Sequence, residues 1–75
     1  MIGKPVGWVV EVSYEGEGPT QYYVAEPVRA QAISAVRRRI PRADAAKVEA
    51  VQALSRAQIS RLRLMRGEIM PKSGA

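Results

Sequence analysis

The sequence predicts a small α+β domain in which a two-stranded hairpin is followed by a helix, a third strand and a short second helix. Three observations support this fold class: apolar and polar residues alternate over 7–14, apolar residues recur at helical spacing over 28–40, and Ser55 carries a helix-capping signal. A chain of 75 residues has room for one hydrophobic core. We therefore expect one domain over residues 1–69 and a mobile tail over residues 70–75.

The first element is a β-hairpin. Residues 7–14 are rich in β-branched and aromatic side chains, and one face of the predicted strand is apolar: Trp8, Val10, Val12 and Tyr14. Residues 15–20 contain two glycines and a proline and cannot continue a strand, so they are predicted to form the hairpin loop. Residues 21–25 again have high strand propensity and are predicted to form the second strand. The two strands are expected to pair antiparallel.

A helix is predicted over residues 28–40. Pro27 suits the first helical turn, where its missing N–H is not needed. The apolar residues then recur at intervals of three and four positions: Val28, Ala32, Ile33, Val36 and Ile40. Pro41 ends the helix, because the residue before a proline is disfavoured in the α conformation.

Residues 43–66 admit two interpretations. In the first, residues 47–54 form a third strand with Val48, Ala50 and Leu54 on one side, and Ser55 caps a short second helix together with Gln58. In the second, one long helix over 44–65 gives a ββαα fold, which intrinsic helix propensity favours. We favour the first, ββαβα, because a two-stranded hairpin alone is marginally stable. The third strand would lie antiparallel beside the first, in a three-stranded sheet packed against helix 28–40.

Charge is divided unevenly along the chain. Residues 1–27 carry four Glu and one Lys, a net charge of −3, whereas residues 28–75 carry eleven basic and three acidic side chains, a net charge of +8. The sequence thus predicts an acidic hairpin end and a basic helical end, an arrangement that could attract an anionic partner.

The sharpest candidate site is a cluster of arginines. Arg37, Arg38 and Arg39 are followed closely by Arg42, and Arg29 is expected to extend the same patch along the helix. Such a cluster could bind the phosphates of a nucleic acid. An alternative explanation is that the arginines near the end of the helix only complement the helix dipole.

No catalytic or metal site is predicted. The chain has no His and no Cys, the residues best suited to proton transfer, nucleophilic attack and transition-metal binding. Glu15 and Glu17 could form a catalytic carboxylate pair, but they are expected to lie in an exposed hairpin loop. Solvation of that loop is sufficient to explain these two acidic residues. We expect no cofactor and no small-molecule substrate. The sequence therefore gives no indication of an enzyme.

These observations predict a non-catalytic binding or interaction module. Its partner is expected to be another protein or a second copy, because the core is thin and the edges of a three-stranded sheet can pair with another chain. Exposed apolar residues that fit no stripe are expected to line that contact: Val9, Leu64 and Ile69. The alternative is a sequence-tolerant nucleic-acid-binding domain that uses the arginine cluster. Polar residues and Pro5 interrupt the apolar N-terminal stretches, so no membrane span is expected. The excess of Arg over Lys and the lack of Cys favour the bacterial cytoplasm.

Overall fold

A computed structural model describes residues 4–40, 42 and 45–72. The elements follow the order ββαβαβ and are β1 (Gly7–Ser13), β2 (Thr20–Val24), α1 (Arg29–Arg39), β3 (Lys47–Leu54), α2 (Arg56–Leu62) and β4 (Ile69–Pro71). The four strands form one antiparallel sheet in the order β3-β1-β2-β4. The α+β class is confirmed, with one strand more than the sequence predicted.

The predicted hairpin is present. Trp8 of β1 lies opposite Val24 of β2, and Val12 lies opposite Thr20. The connecting loop turns at Gly16, whose φ of +81° lies in the left-handed region that glycine adopts without strain.

Helix α1 covers one face of the sheet. The main core lies between them and consists of valines and alanines: Val10, Val12, Val24, Ala32, Ala35, Val36, Val48 and Ala50. The Trp8 side chain packs against this core, and its Nε1 donates a hydrogen bond of 3.1 Å to the Pro27 carbonyl oxygen. That bond ties β1 to the segment that leads into α1.

The observed α1 is shorter than the predicted 28–40 at both ends. Val28 is the N-cap and is 50% exposed, so it does not belong to the buried stripe. Ile40 is the C-cap, and its N–H donates to the Val36 carbonyl oxygen. Pro41, which was expected to end the helix, lies outside the described residues.

Residues 47–54 are a strand, and the long helix over 44–65 is wrong. As predicted, β3 pairs antiparallel with β1. A bulge at Val51 shifts the register, so that Ala50 lies opposite Val10 but Leu54 lies opposite Gly7. Since directly opposed residues share a face of the sheet, Leu54 lies on the other face from Val48 and Ala50. The expectation that these three residues share one side is therefore wrong.

The capping box that the sequence predicted at Ser55 begins α2. The Gln58 N–H donates to Ser55 Oγ at 3.2 Å, and the Ser55 N–H donates to Gln58 Oε1 at 2.9 Å. The helix ends at Leu62, and Arg63 follows in the left-handed conformation with a φ of 57°. Gly67, with a φ of +87°, lies in the later turn that leads to β4.

A second, smaller core lies on the other face of the sheet. Ile59 of α2 packs against Gly7, and both Val9 and Leu54 on that face are buried, with 2% and 1% exposure. The expectation that Val9 is an exposed apolar residue is therefore wrong, because α2 lies over this face. Leu64 and Ile69 are half-buried.

Strand β4 was not predicted. Ile69 lies opposite Val24 and Met70 lies opposite Tyr23, and the Lys72 N–H donates to the Gln21 carbonyl oxygen at 2.8 Å. Residues 70–72 of the expected tail therefore belong to the folded domain. Residues 73–75 lie outside the described part of the chain.

Candidate interaction surfaces

Arg42 folds back onto the hairpin loop. Its Nη2 lies 3.7 Å from Glu17 Oε2, and its guanidinium carbon lies 5.0 Å from the centroid of the Tyr14 ring. The residue adopts a left-handed φ of 68°. Because both side chains of the ion pair are mostly exposed, at 73% and 57%, the contact is screened by water. Arg42 is thus already engaged within the domain.

Arg37, Arg38 and Arg39 occupy the last turn of α1 and are all exposed. Consecutive helical residues are about 100° apart around the axis, so the three guanidinium groups do not share one face. Arg37 lies with Ala30 and Ser34 on the side opposite the buried residues, and Arg38 flanks that side. Within the described residues, none of the three is part of an ion pair.

Arg29 lies at the other end of the same helix. It is ten residues before Arg39, which corresponds to about 15 Å along the axis. It is exposed and, within the described part of the chain, also lacks an ion pair. The fold thus brings Arg37, Arg38, Arg39 and Arg42 to one end of the sheet and leaves Arg29 at the opposite end.

The division of charge along the sequence does not become an acidic end and a basic end. The contacts of Arg42 with Glu17 and Tyr14 show that the hairpin loop and the C-terminal end of α1 lie at the same end of the sheet. Acidic and basic side chains are therefore mixed there. The expectation of an acidic hairpin end and a basic helical end overlooked that α1 runs antiparallel to β2.

A second group of basic residues lies at the opposite end of the sheet, around Val6. Lys4 and Arg56 line one groove of about 590 Å³, and Arg66 lines a second; Val6 borders both. The floor of the first groove includes Ala53 and Leu54. Sequence reasoning missed this grouping, because only the pairing of β1 with β3 brings residues 4–6 beside residues 53–58.

The outer edge of β3 is the longest unpaired strand edge in the part of the chain that the structure describes. The strand has eight residues and pairs only with β1, whereas the other edge strand, β4, has three. Lys47 and Glu49 on β3 are exposed, and Lys47 Nζ lies 3.2 Å from Glu49 Oε1. Val51 is 46% exposed. Unpaired backbone N–H and C=O groups along such an edge can accept another strand.

The tyrosines do not form a common stacking surface. Tyr14 and Tyr22 pack against the main core. Tyr23 lies on the opposite face of the sheet, where Lys72 Nζ is 6.0 Å from its ring centroid. Bases of a single-stranded nucleic acid would therefore find no continuous row of aromatic rings.

No polar or charged side chain is buried among the described residues, and they contain no group of three acidic residues that could hold a metal ion. Neither helix is long and apolar enough to cross a membrane. Comparison of the chain with protein-family models, with curated proteins and with solved structures finds no match.

Proposed function

We propose that this chain is a non-catalytic interaction module that associates with a second copy of itself through the free edge of β3. The observation that carries the proposal is this edge, which is eight residues long and has no partner strand among the described residues. A strand that adds to it gains backbone hydrogen bonds without any rearrangement of the domain.

The thin core supports self-association. The largest fully buried side chains are one leucine and four valines, and the main core otherwise contains Val48 and three alanines. Domains of this size commonly gain stability from disulfides, metals or a partner subunit. The chain has no Cys and no His, so a partner subunit is the source of stability best suited to it.

The charges on β3 favour one pairing register. If a two-fold axis passes beside Val48, then Val48 lies opposite the second copy's Val48, and Lys47 lies opposite the second copy's Glu49. The axis generates this pair twice, and opposite charges directly across an antiparallel pair are stabilising. Registers centred on Glu49 would instead oppose two carboxylates.

The bulge at Val51 supports the same register. A bulge bends its strand and interrupts regular pairing, which limits how far a second strand can follow the edge. The register centred on Val48 uses only residues 46–50, which precede the bulge. It places Ala46 opposite the second copy's Ala50, and both residues pack on the face that carries the main core.

Light scattering and sedimentation from about 10 µM to about 1 mM test this proposal, because a contact of this size gives a reversible equilibrium rather than a permanent dimer. We expect the mass to rise from monomer to dimer. The substitutions Lys47→Glu and Glu49→Lys, each of which opposes like charges, should each shift the equilibrium toward monomer.

Matched controls carry the same charge changes away from β3. Lys4→Glu and Glu15→Lys alter exposed residues at the two ends of the sheet, and they should leave the dimer in place. A chain that stays monomeric over the whole concentration range would overturn the proposal. Equal loss of dimer in the controls and in the β3 variants would also contradict it.

A further inference from the structure

We infer that the exposed face of α1 binds the phosphate backbone of a double-stranded nucleic acid. The helix has four arginines and no acidic residue in eleven positions. All four arginines are exposed, and none is in an ion pair with another described residue. The inference concerns a different surface from the β3 edge and does not depend on self-association.

Helix stability does not account for all four arginines. Cations near the C-terminal end of a helix complement its dipole, which explains Arg37, Arg38 and Arg39. Arg29, in contrast, is the first residue of α1, where the dipole disfavours a positive charge. No acidic residue occurs in the first turn to offset it. A bound anion would offset the charge of Arg29.

The shape of the exposed face suits a backbone contact. Its other residues are Ala30, Gln31 and Ser34, which are short or can donate a hydrogen bond, so a phosphate chain can approach the helix closely. Arg37 and Arg38 lie on this face, whereas Arg29 and Arg39 lie nearer the sheet at the two ends of the helix. Arg37 and Arg38 can therefore contact phosphates together.

A duplex fits better than a single strand. Proteins that bind single strands stack the bases on aromatic rings. The exposed face of α1 has no aromatic residue. Tyr23, on the face of the sheet opposite α1, cannot contribute to the same contact.

Fluorescence anisotropy with labelled oligonucleotides at several salt concentrations tests the inference. The full chain should bind duplex DNA or duplex RNA at low salt, and the logarithm of the affinity should fall linearly with the logarithm of the salt concentration. Separate measurements with duplex DNA and with duplex RNA show which of the two the chain binds. Single strands of the same sequences should bind more weakly.

A matched pair of variants locates the contact. The triple variant Arg37→Gln, Arg38→Gln, Arg39→Gln and the control Arg56→Gln, Arg61→Gln, Arg66→Gln each lower the net charge of +5 by three. We expect the α1 variant to lose at least about tenfold in affinity and to show a shallower salt slope. The control should retain most of the binding. Arg42→Gln should also have little effect, because Arg42 contacts Glu17 and Tyr14.

Three results would overturn the inference: no binding at low salt, equal loss in the two triple variants, or tighter binding of single strands than of duplex. Circular dichroism checks that each variant is folded. If the α1 triple variant unfolds, the double variant Arg37→Gln, Arg38→Gln takes its place with Arg56→Gln, Arg61→Gln as its control.

Discussion

At Gly7 the backbone of β1 lies close to both β2 and α2. A Cβ at this position would be 2.6 Å from the Val24 carbonyl oxygen and 2.7 Å from Ile59 Cδ1. The isoleucine can rotate away, but the carbonyl belongs to a paired strand. We therefore predict that Gly7→Ala lowers the free energy of unfolding by about 2 kcal/mol in urea denaturation.

Gly18→Ala is the control for that change. No heavy atom lies within 4 Å of a Cβ built at Gly18, which is in the exposed hairpin loop. Its effect should stay within about 0.5 kcal/mol. Similar losses at the two glycines would mean that the close approach of the Val24 carbonyl oxygen to Gly7 is not the cause.

Ser55 ends β3 and begins α2 through its capping box. Ser55→Ala removes the acceptor for the Gln58 N–H and should lower the free energy of unfolding by about 1 kcal/mol. Ser60→Ala, in the same helix and also exposed, should be neutral or slightly stabilising, because alanine has the higher helix propensity. An equal loss at both serines would show that the box does not stabilise α2.

Among the elements, those with a strong local pattern were predictable from the sequence. Alternation identified β1, helical spacing identified α1, and the Ser55 capping signal correctly separated β3 from α2. Helix propensity would have merged these last two elements into one helix. The need of the hairpin for a third strand decided the question correctly, which shows that a nonlocal requirement can outweigh local propensity.

Strand β4 and the bulge in β3 were not predictable in the same way. Ile69–Pro71 is too short to show alternation and ends in a proline, so only its pairing with β2 defines it as a strand. The bulge at Val51 depends on the register with β1, and it moved Leu54 to the other face. The sequence identified the arginines of the candidate site. It did not show that they lie at two ends of the sheet, because that depends on how the chain folds.

The pairing of β4 leads to a prediction about truncation. A chain that ends at Lys72 should keep its stability, whereas a chain that ends at Glu68 should lose about 2 kcal/mol or more, because Ile69 packs against the main core. Thermal unfolding followed by circular dichroism measures both. Equal stability of the two truncated chains would mean that β4 does not contribute to the fold.

For the whole molecule, the two proposed contacts use different surfaces and should respond differently to salt. Duplex binding by α1 must weaken steeply as salt displaces the phosphate contacts. Strand pairing between two chains of net charge +5 rests mainly on backbone hydrogen bonds; salt weakens the exposed Lys47–Glu49 pairs but also screens the repulsion between the chains. We expect the dimer to persist at salt concentrations that abolish duplex binding. Sedimentation and anisotropy on the same samples would show this.

A dimer formed by continuous sheet pairing would also place both copies of α1 on one face. A two-fold axis perpendicular to the sheet keeps each face on its own side, so the two arginine-rich helices would be presented together. Duplex affinity should then increase at protein concentrations where the dimer forms, because two linked contacts bind more tightly than one.

The register centred on Val48 is tested most directly by mixing two variants. The Lys47→Glu chain carries two negative charges on β3 and the Glu49→Lys chain carries two positive charges, so each should remain monomeric alone. An equimolar mixture should form dimers, because both cross-strand pairs are then complementary. Loss of the exposed Lys47–Glu49 ion pair within each chain should change its stability by no more than about 1 kcal/mol. Sedimentation velocity of the mixture should show a dimer that neither variant forms by itself; a mixture that stays monomeric while the unaltered chain dimerises would contradict the account.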